Sequence, residues 1–319
     1  MKLLKKLIGL FVSLALLGAV LLLWFGKQDV LDWYTLRNYT PPAEVVALAN
    51  STSMTDYGKK IFYVNHPYIA PAGTINSECG HESSIVIGCY TTTGGIFIYD
   101  ITDPRLNGIK EVTAGHEMLH AAYFRLSLKE RQEIDSLTEQ AYATITNQHI
   151  RDNVENYRKQ DPSVVPNELH SILATEATNL PPNLEEYYKK YFKNRMAIVA
   201  FSDHYQAEFS SRQQKVDEYD KQLDQLKGAI DQARKDLSNE MNELKTEKSR
   251  LDGLLETNQI AIYNQGVPNF NSKVNQYNSL VKQTDTQINE YNTIVSERNK
   301  ITVEVKDLAQ SIDSRPQSF

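Results

Sequence analysis

Thr113-Ala114-Gly115-His116-Glu117-Met118-Leu119-His120-Ala121-Ala122 carries a single carboxylate, Glu117, between two histidines spaced four apart. On a helix, residues four apart are separated by about 40°, so both imidazoles face one side and can ligate one Zn2+. Glu117 stands next to the first of them. There a carboxylate can take a proton from an activated water and pass it to a leaving amine. The competing reading is a core helix with two buried histidines and a buried glutamate. It leaves three polar groups without stated partners, which is costly.

The pattern is His-Glu-x-x-His, and the strand-like run Gly95-Ile96-Phe97-Ile98-Tyr99 precedes it. Over roughly residues 60–200 the chain resembles the zincin metallopeptidases, in particular the gluzincin-like branch, in which a downstream Glu completes the zinc site. The resemblance implies peptidase activity on a protein or peptide substrate, a two-helix metal site, and a sheet whose edge strand aligns the substrate. A catalytic zinc needs three protein ligands. The longer zincin pattern with a third His is absent, because Leu126 occupies that position. The third ligand is therefore expected in Asn167-Glu168-Leu169-His170-Ser171-Ile172-Leu173-Ala174-Thr175-Glu176. Glu168 is preferred: Asn167 can cap the helix, and Glu168 with Ser171 three residues on resembles the second ligand helix of several gluzincins. Glu176 is the alternative, about 80° further round the helix, where it can instead orient a ligand from behind. His170 is the third choice. Tyr123, His149, His170 and Tyr187 are all candidates for stabilising a developing oxyanion. His81 reads as a loop residue, and His66 and His204 carry no motif.

Around this segment the chain reads as α+β: a zincin-like domain over 44–200 with a small antiparallel sheet. Lys60–Val64 and Ser84–Gly88 join Gly95–Tyr99 as strands, and Asn65–Gly80 is rich in turn formers. Helices are expected over Ile109–Leu126, Ser127–Asn156, Asn167–Asn179 and Leu184–Ala200. Cys79 and Cys89 are the two cysteines. In an exported chain they would close a short loop as a disulfide; a two-Cys metal site is the competing idea, without a CxxC spacing.

The flanks differ. Leu7 to Phe25 is uncharged and apolar, close to the roughly 20 residues that cross a bilayer, and follows Lys2, Lys5 and Lys6. It reads as an uncleaved signal-anchor within 1–26, contacting the membrane through residues 7–25, with the N-terminus cytoplasmic and the remainder extracellular. A cleaved signal peptide is the alternative, disfavoured by the length of the run and by Leu23-Trp24-Phe25 at its end. Residues 27–43 form a juxtamembrane spacer. Residues 201–313 repeat apolar positions at alternating steps of three and four, Val216 to Leu237 and again Val274 to Val295, the seam of an antiparallel coiled-coil hairpin. Its turn is expected at Asn264–Asn269. Each arm would span roughly 60 to 90 Å. Residues 314–319 are a tail.

The net charge of −6 comes without a basic stripe, which argues against nucleic acid as a partner. The expectation is thus a membrane-anchored zinc metallopeptidase. Two alternatives are a non-catalytic scaffold whose working part is the hairpin, and a zinc amidase acting on cell-wall material. The hairpin would hold the site away from the membrane, bind a protein partner or self-associate.

Overall fold

The computed structural model describes residues 2–80 and 85–315, with side chains described at all of these except 2–5 and 21–25. The readings of His81, Ser84, residues 316–319, the Lys2 and Lys5 side chains and the Leu23-Trp24-Phe25 end lie outside what is described. The chain forms two compact units, residues 1–208 with 309–319, and residues 209–308.

The first unit opens with α1 (Lys2–Phe25), α2 (Lys27–Leu36), α3 (Ala43–Ser51) and α4 (Asp56–Val64). Next come β1 (Tyr68–Ala70), α5 (Ala72–Glu78), β2 (Gly88–Thr91) and β3 (Gly95–Tyr99). The chain then runs through α6 (Ile109–Phe124), α7 (Leu128–Tyr142), α8 (Gln148–Gln160), α9 (Val165–Glu176) and α10 (Pro182–Tyr188). The strand order is β1-β3-β2. β1 lies parallel to β3, with Ile69 opposite Ile98, and β2 is antiparallel to it, with Cys89 opposite Phe97. Ile96 and Ile98 point from β3 into a core shared with Met118 and Leu119 of α6 and with Leu169, Ile172 and Leu173 of α9. Cys79 and Cys89 are joined as a disulfide, Cα to Cα 5.6 Å, tying the end of α5 to β2.

Several expectations are corrected. The chain is 77 % helical with a three-stranded sheet, so the α+β, zincin-like reading gives way to a mostly helical fold. The sheet is mixed rather than antiparallel. Lys60–Val64 is helix, not strand: the Thr55 side chain accepts from the Gly58 amide at 3.0 Å and caps α4, and Ile61 and Phe62 then fall on its buried face. Gly58 is needed there, since a Cβ would lie 2.5 Å from the Tyr191 carbonyl oxygen. The turn-rich stretch before Gly80 contains β1 and α5. The single helix expected over Ser127–Asn156 is two. Ser127 and Glu130 form a reciprocal cap on α7, and the Asn147 side chain accepts from the His149 amide at 3.0 Å to start α8 afresh.

The membrane reading is also corrected. Among the described residues, no helix is long and apolar enough to cross a membrane. The membrane span over 7–25, the cell-membrane location and the topology drawn from it therefore fall.

The second unit is built from the greater part of α11 (Arg195–Glu256) and α12 (Ile260–Ile312). Within it Lys273 pairs with Glu243 at 3.1 Å, Arg298 with Asp220, and Arg212 with Glu304 at 3.1 Å, so the two helices run in opposite directions. The chain reverses at Thr257–Gln259, where Asn258 takes a left-handed backbone, φ 57°. The expected turn at Asn264–Asn269 instead lies inside α12, which carries Pro268.

Candidate metal centre

α6 is buried along most of its length, and this brings its polar residues to a shared point. Gly108 precedes it with φ 103°, and a Cβ there would lie 3.0 Å from both the Phe201 side chain and its carbonyl oxygen. Four residues apart on α6, the rings of His116 and His120 sit 4.6 Å apart, nearly perpendicular at 81°. Facing them is Glu168, in the first turn of α9 just after Pro166. His116 Nε2 lies 3.4 Å from Glu168 Oε2, and His120 Nε2 lies 3.5 Å from Glu168 Oε1. The ligand atoms of the three residues all fall within 4.8 Å of one another, a group that can hold a metal ion.

The donors fit a divalent cation. Nitrogen–oxygen separations of 3.4 and 3.5 Å are long for a hydrogen bond, which peaks near 2.9 Å. They are close to the about 3.3 Å that separates two ligands each about 2.0–2.1 Å from one tetrahedral ion. Glu168 Oε2 is buried and accepts no hydrogen bond, an orphan that a cation would satisfy. Burial pushes the Glu168 carboxyl up, but the nearness of His116 and the charges of His120 and His116 outweigh it and lower its pKa below the usual carboxylate value. Behind His120, Ser171 Oγ lies 3.3 Å from Nδ1, leaving Nε2 to face the centre.

Glu117 is 6 % exposed. It lies on the side of α6 that meets β2. A Cβ on Gly88 would come 3.5 Å from Glu117 Cγ and 2.8 Å from the Phe97 carbonyl oxygen, while colliding with the Thr113 methyl. Glycine at 88 is what lets strand and helix approach this closely.

The remaining candidates are placed elsewhere. Glu176, at the far end of α9, is not part of the His116–His120–Glu168 group. It accepts from Gln206 Nε2 at 3.1 Å and faces His149 Nε2 at 3.7 Å. Burial drives its pKa up, against the opposing pull of His149 and His116. His170 is fully buried among tyrosines. Its Nε2 meets the Tyr187 hydroxyl at 3.1 Å, and its carbonyl accepts from Tyr188 at 2.8 Å. Burial lowers its pKa to about 3, aided by the charges of His120 and His116. Tyr187 also meets Tyr191, hydroxyl to hydroxyl at 3.2 Å, and burial pushes it up strongly. Tyr123 donates to Asp135 at 2.8 Å. His66 stacks on Tyr39, ring centroids 4.4 Å apart, and His204 Nδ1 sits 3.0 Å from the Asn107 carbonyl oxygen.

Tyr157 and Gly88 were not singled out from sequence. Tyr157 sits in a polar helix with no motif around it, and only the packing of α8 on α9 connects it to Glu168. No protein-family model, curated protein or solved structure matches this chain.

Proposed function

We propose that this chain is a zinc-dependent metallopeptidase acting on protein or peptide substrates. The observation that carries the reading is the meeting of His116, His120 and Glu168 with an unpartnered buried oxygen on Glu168. Two imidazoles and one carboxylate are a donor set suited to zinc with a position left open for chemistry. When bound, zinc supplies a Lewis acid that makes a water nucleophilic near neutral pH and polarises a carbonyl.

The chain's own residues supply the rest. His116 and His120 hold the ion from α6, and Glu168 holds it from α9. Ser171 fixes His120 through its other nitrogen. Glu117, buried beside His116, is the general base: its carboxylate accepts a proton from the attacking water and then gives it to the departing amine nitrogen. β2 is the edge strand of the sheet, beside Glu117, and an extended peptide can pair with it through main-chain hydrogen bonds.

The test is metal content and proteolysis on the full chain, purified without chelators. Close to one zinc per chain is expected. Glu117→Gln should keep that zinc and the melting temperature while lowering peptide hydrolysis by about 10²- to 10⁴-fold. A well-folded chain without metal, or a Glu117→Gln variant that cleaves like the parent, refutes the reading.

A further inference from the structure

β2 lies at one edge of the sheet. The Tyr99 amide donates to the Ile87 carbonyl at 2.8 Å, and along an antiparallel pair bonded and non-bonded positions alternate. Cys89, opposite Phe97, is therefore a bonded position. Gly88 and Tyr90, opposite Ile98 and Ile96, turn their N–H and C=O groups away from β3, where an added strand would meet them. Side chains alternate too. Cys89 goes to the face on which its disulfide reaches α5, and Gly88 and Tyr90 go to the face that meets α6. Two surroundings follow one another there. Gly88 lies over Thr113 and Glu117. Tyr90 meets Phe124, ring centroids 5.5 Å apart. Gly88 to Tyr90 is about 7 Å of strand, and Glu117 to Phe124 is about 10 Å of helix, so the aromatic pair stands one same-face step along from Glu117. Phe124 is 50 % exposed, although Ala121, Ala122 and Tyr123 just before it are buried.

Resting on the metallopeptidase reading, we infer that Tyr90 and Phe124 form a substrate subsite, selecting extended peptides that carry a large apolar side chain, aromatic best, at the residue paired with Tyr90. Cross-strand neighbours share a face of the sheet. A peptide residue paired with Gly88 thus lies beside Glu117 and borders the cleaved bond. The next residue on that face is two positions along, paired with Tyr90, and its side chain comes down against the Tyr90 ring and the open face of Phe124. Covering exposed apolar surface favours binding, and rings add a preference for tilted contact, the arrangement Tyr90 and Phe124 already adopt at 55°. The Arg131 guanidinium lies 5.7 Å from the Phe124 ring centroid, so a lysine or arginine of the peptide is disfavoured at this position. The main chain of Gly88 and Tyr90 aligns the peptide, and the aromatic pair sets which peptide is cleaved.

The experiment measures kcat/KM of the zinc-loaded full chain on a series of capped peptides. Each position within three residues of the cleaved bond is set in turn to Gly, Leu, Phe or Lys. At one position Phe should exceed Gly by about 10-fold or more, with Leu between them and Lys no better than Gly. In Phe124→Ala the Phe-to-Gly ratio at that position should fall to within about twofold. Its melting temperature is read alongside, and Phe124→Leu, which keeps an apolar surface, should retain part of the ratio. A parent chain that cleaves these peptides without such a position, or a Phe-to-Gly ratio unchanged in Phe124→Ala, overturns the inference and leaves the metallopeptidase reading standing. A parent chain that binds no zinc, or holds zinc and cleaves none of the peptides, removes both.

Discussion

In the unit made of residues 1–208 and 309–319, Glu117, His120, His170, Ser171, Thr175, Glu176 and Arg195 are all buried, and they belong to α6, α9 and the start of α11. In the unit of residues 209–308, Thr284 is the buried polar side chain among the described residues, and its hydroxyl is already bonded to the Leu280 carbonyl at 2.8 Å. The second unit keeps most of its charges in water, Glu240 Oε2 being a buried exception. Pairs such as Lys227–Asp231 and Lys248–Asp252 lie one helical turn apart, at 2.9 and 2.7 Å, on exposed surface. Exposed pairs of this kind add little to stability, whereas burying a polar group is costly unless it is partnered. The contrast teaches where chemistry can reside. The α6–α9 region buries many polar groups, and there two histidine nitrogens face one carboxylate, whose Oε2 is buried without a hydrogen-bond partner.

The largest expected effect breaks the comparison at its centre. Glu168→Ala should abolish stoichiometric zinc binding in a titration. Glu176→Gln should leave the stoichiometry intact, because Glu176 lies outside the ligand group and a glutamine can still meet Gln206. Loss of metal in the Glu176 variant with retention in the Glu168 variant would reverse the ligand assignment.

A smaller effect compares one kind of pair in the two units. Arg195 is 5 % exposed. It donates to the Ala174, Ala177 and Thr178 carbonyls at 3.2, 2.6 and 3.3 Å and pairs with Glu185, closing the C-terminal end of α9. Its removal leaves those carbonyls and Glu185 without their cation. Arg195→Met should cost about 3 kcal/mol, a fall in Tm on the order of 6–10 °C. Arg298 makes the same kind of pair with Asp220, on the surface of the second unit. Arg298→Met should not shift Tm beyond experimental error. Equal shifts in calorimetry would remove the distinction drawn between the units.

Much of the site region was legible because its signals are local. The spacing of His116 and His120 depends only on helix geometry, and Gly95–Tyr99 is a strand as its β-branched run predicts. What was not legible depends on partners distant in sequence. Lys60–Val64 has strand-like composition, yet the Thr55 cap and the fit of Gly58 against Tyr191 make it helical. Asn264–Asn269 has turn composition, yet the chain reverses at Asn258, and a Cβ on Gly266 would press on Leu251 and Arg250 of the facing helix. Tyr157 looks like any aromatic on a polar helix until α8 is laid on α9. Local propensity is a weak prior wherever tertiary packing has a stronger preference.

The smallest effect concerns the carboxylates of the first unit's own surface. Asp103 caps a short turn, accepting from the Arg105 amide at 3.0 Å, and is met by the Arg105 side chain and by Ser311 at 3.2 Å. The Arg105 hydrogen bonds outweigh partial burial and lower its pKa from 3.8 to about 2. A depressed acid stabilises the fold above its unfolded pKa and loses that contribution as pH falls through the folded value. The window here is therefore pH 4 down to 2. Since the Arg105 side chain is 37 % exposed, solvent screens the pair, and the contribution is about 1 kcal/mol. Asp103→Asn should melt slightly below the parent at pH 6, and the gap should close by pH 2. A gap that stays constant across that range would mean that the charge of Asp103 contributes nothing, and that its role in the turn is carried by the uncharged hydrogen bond to the Arg105 amide.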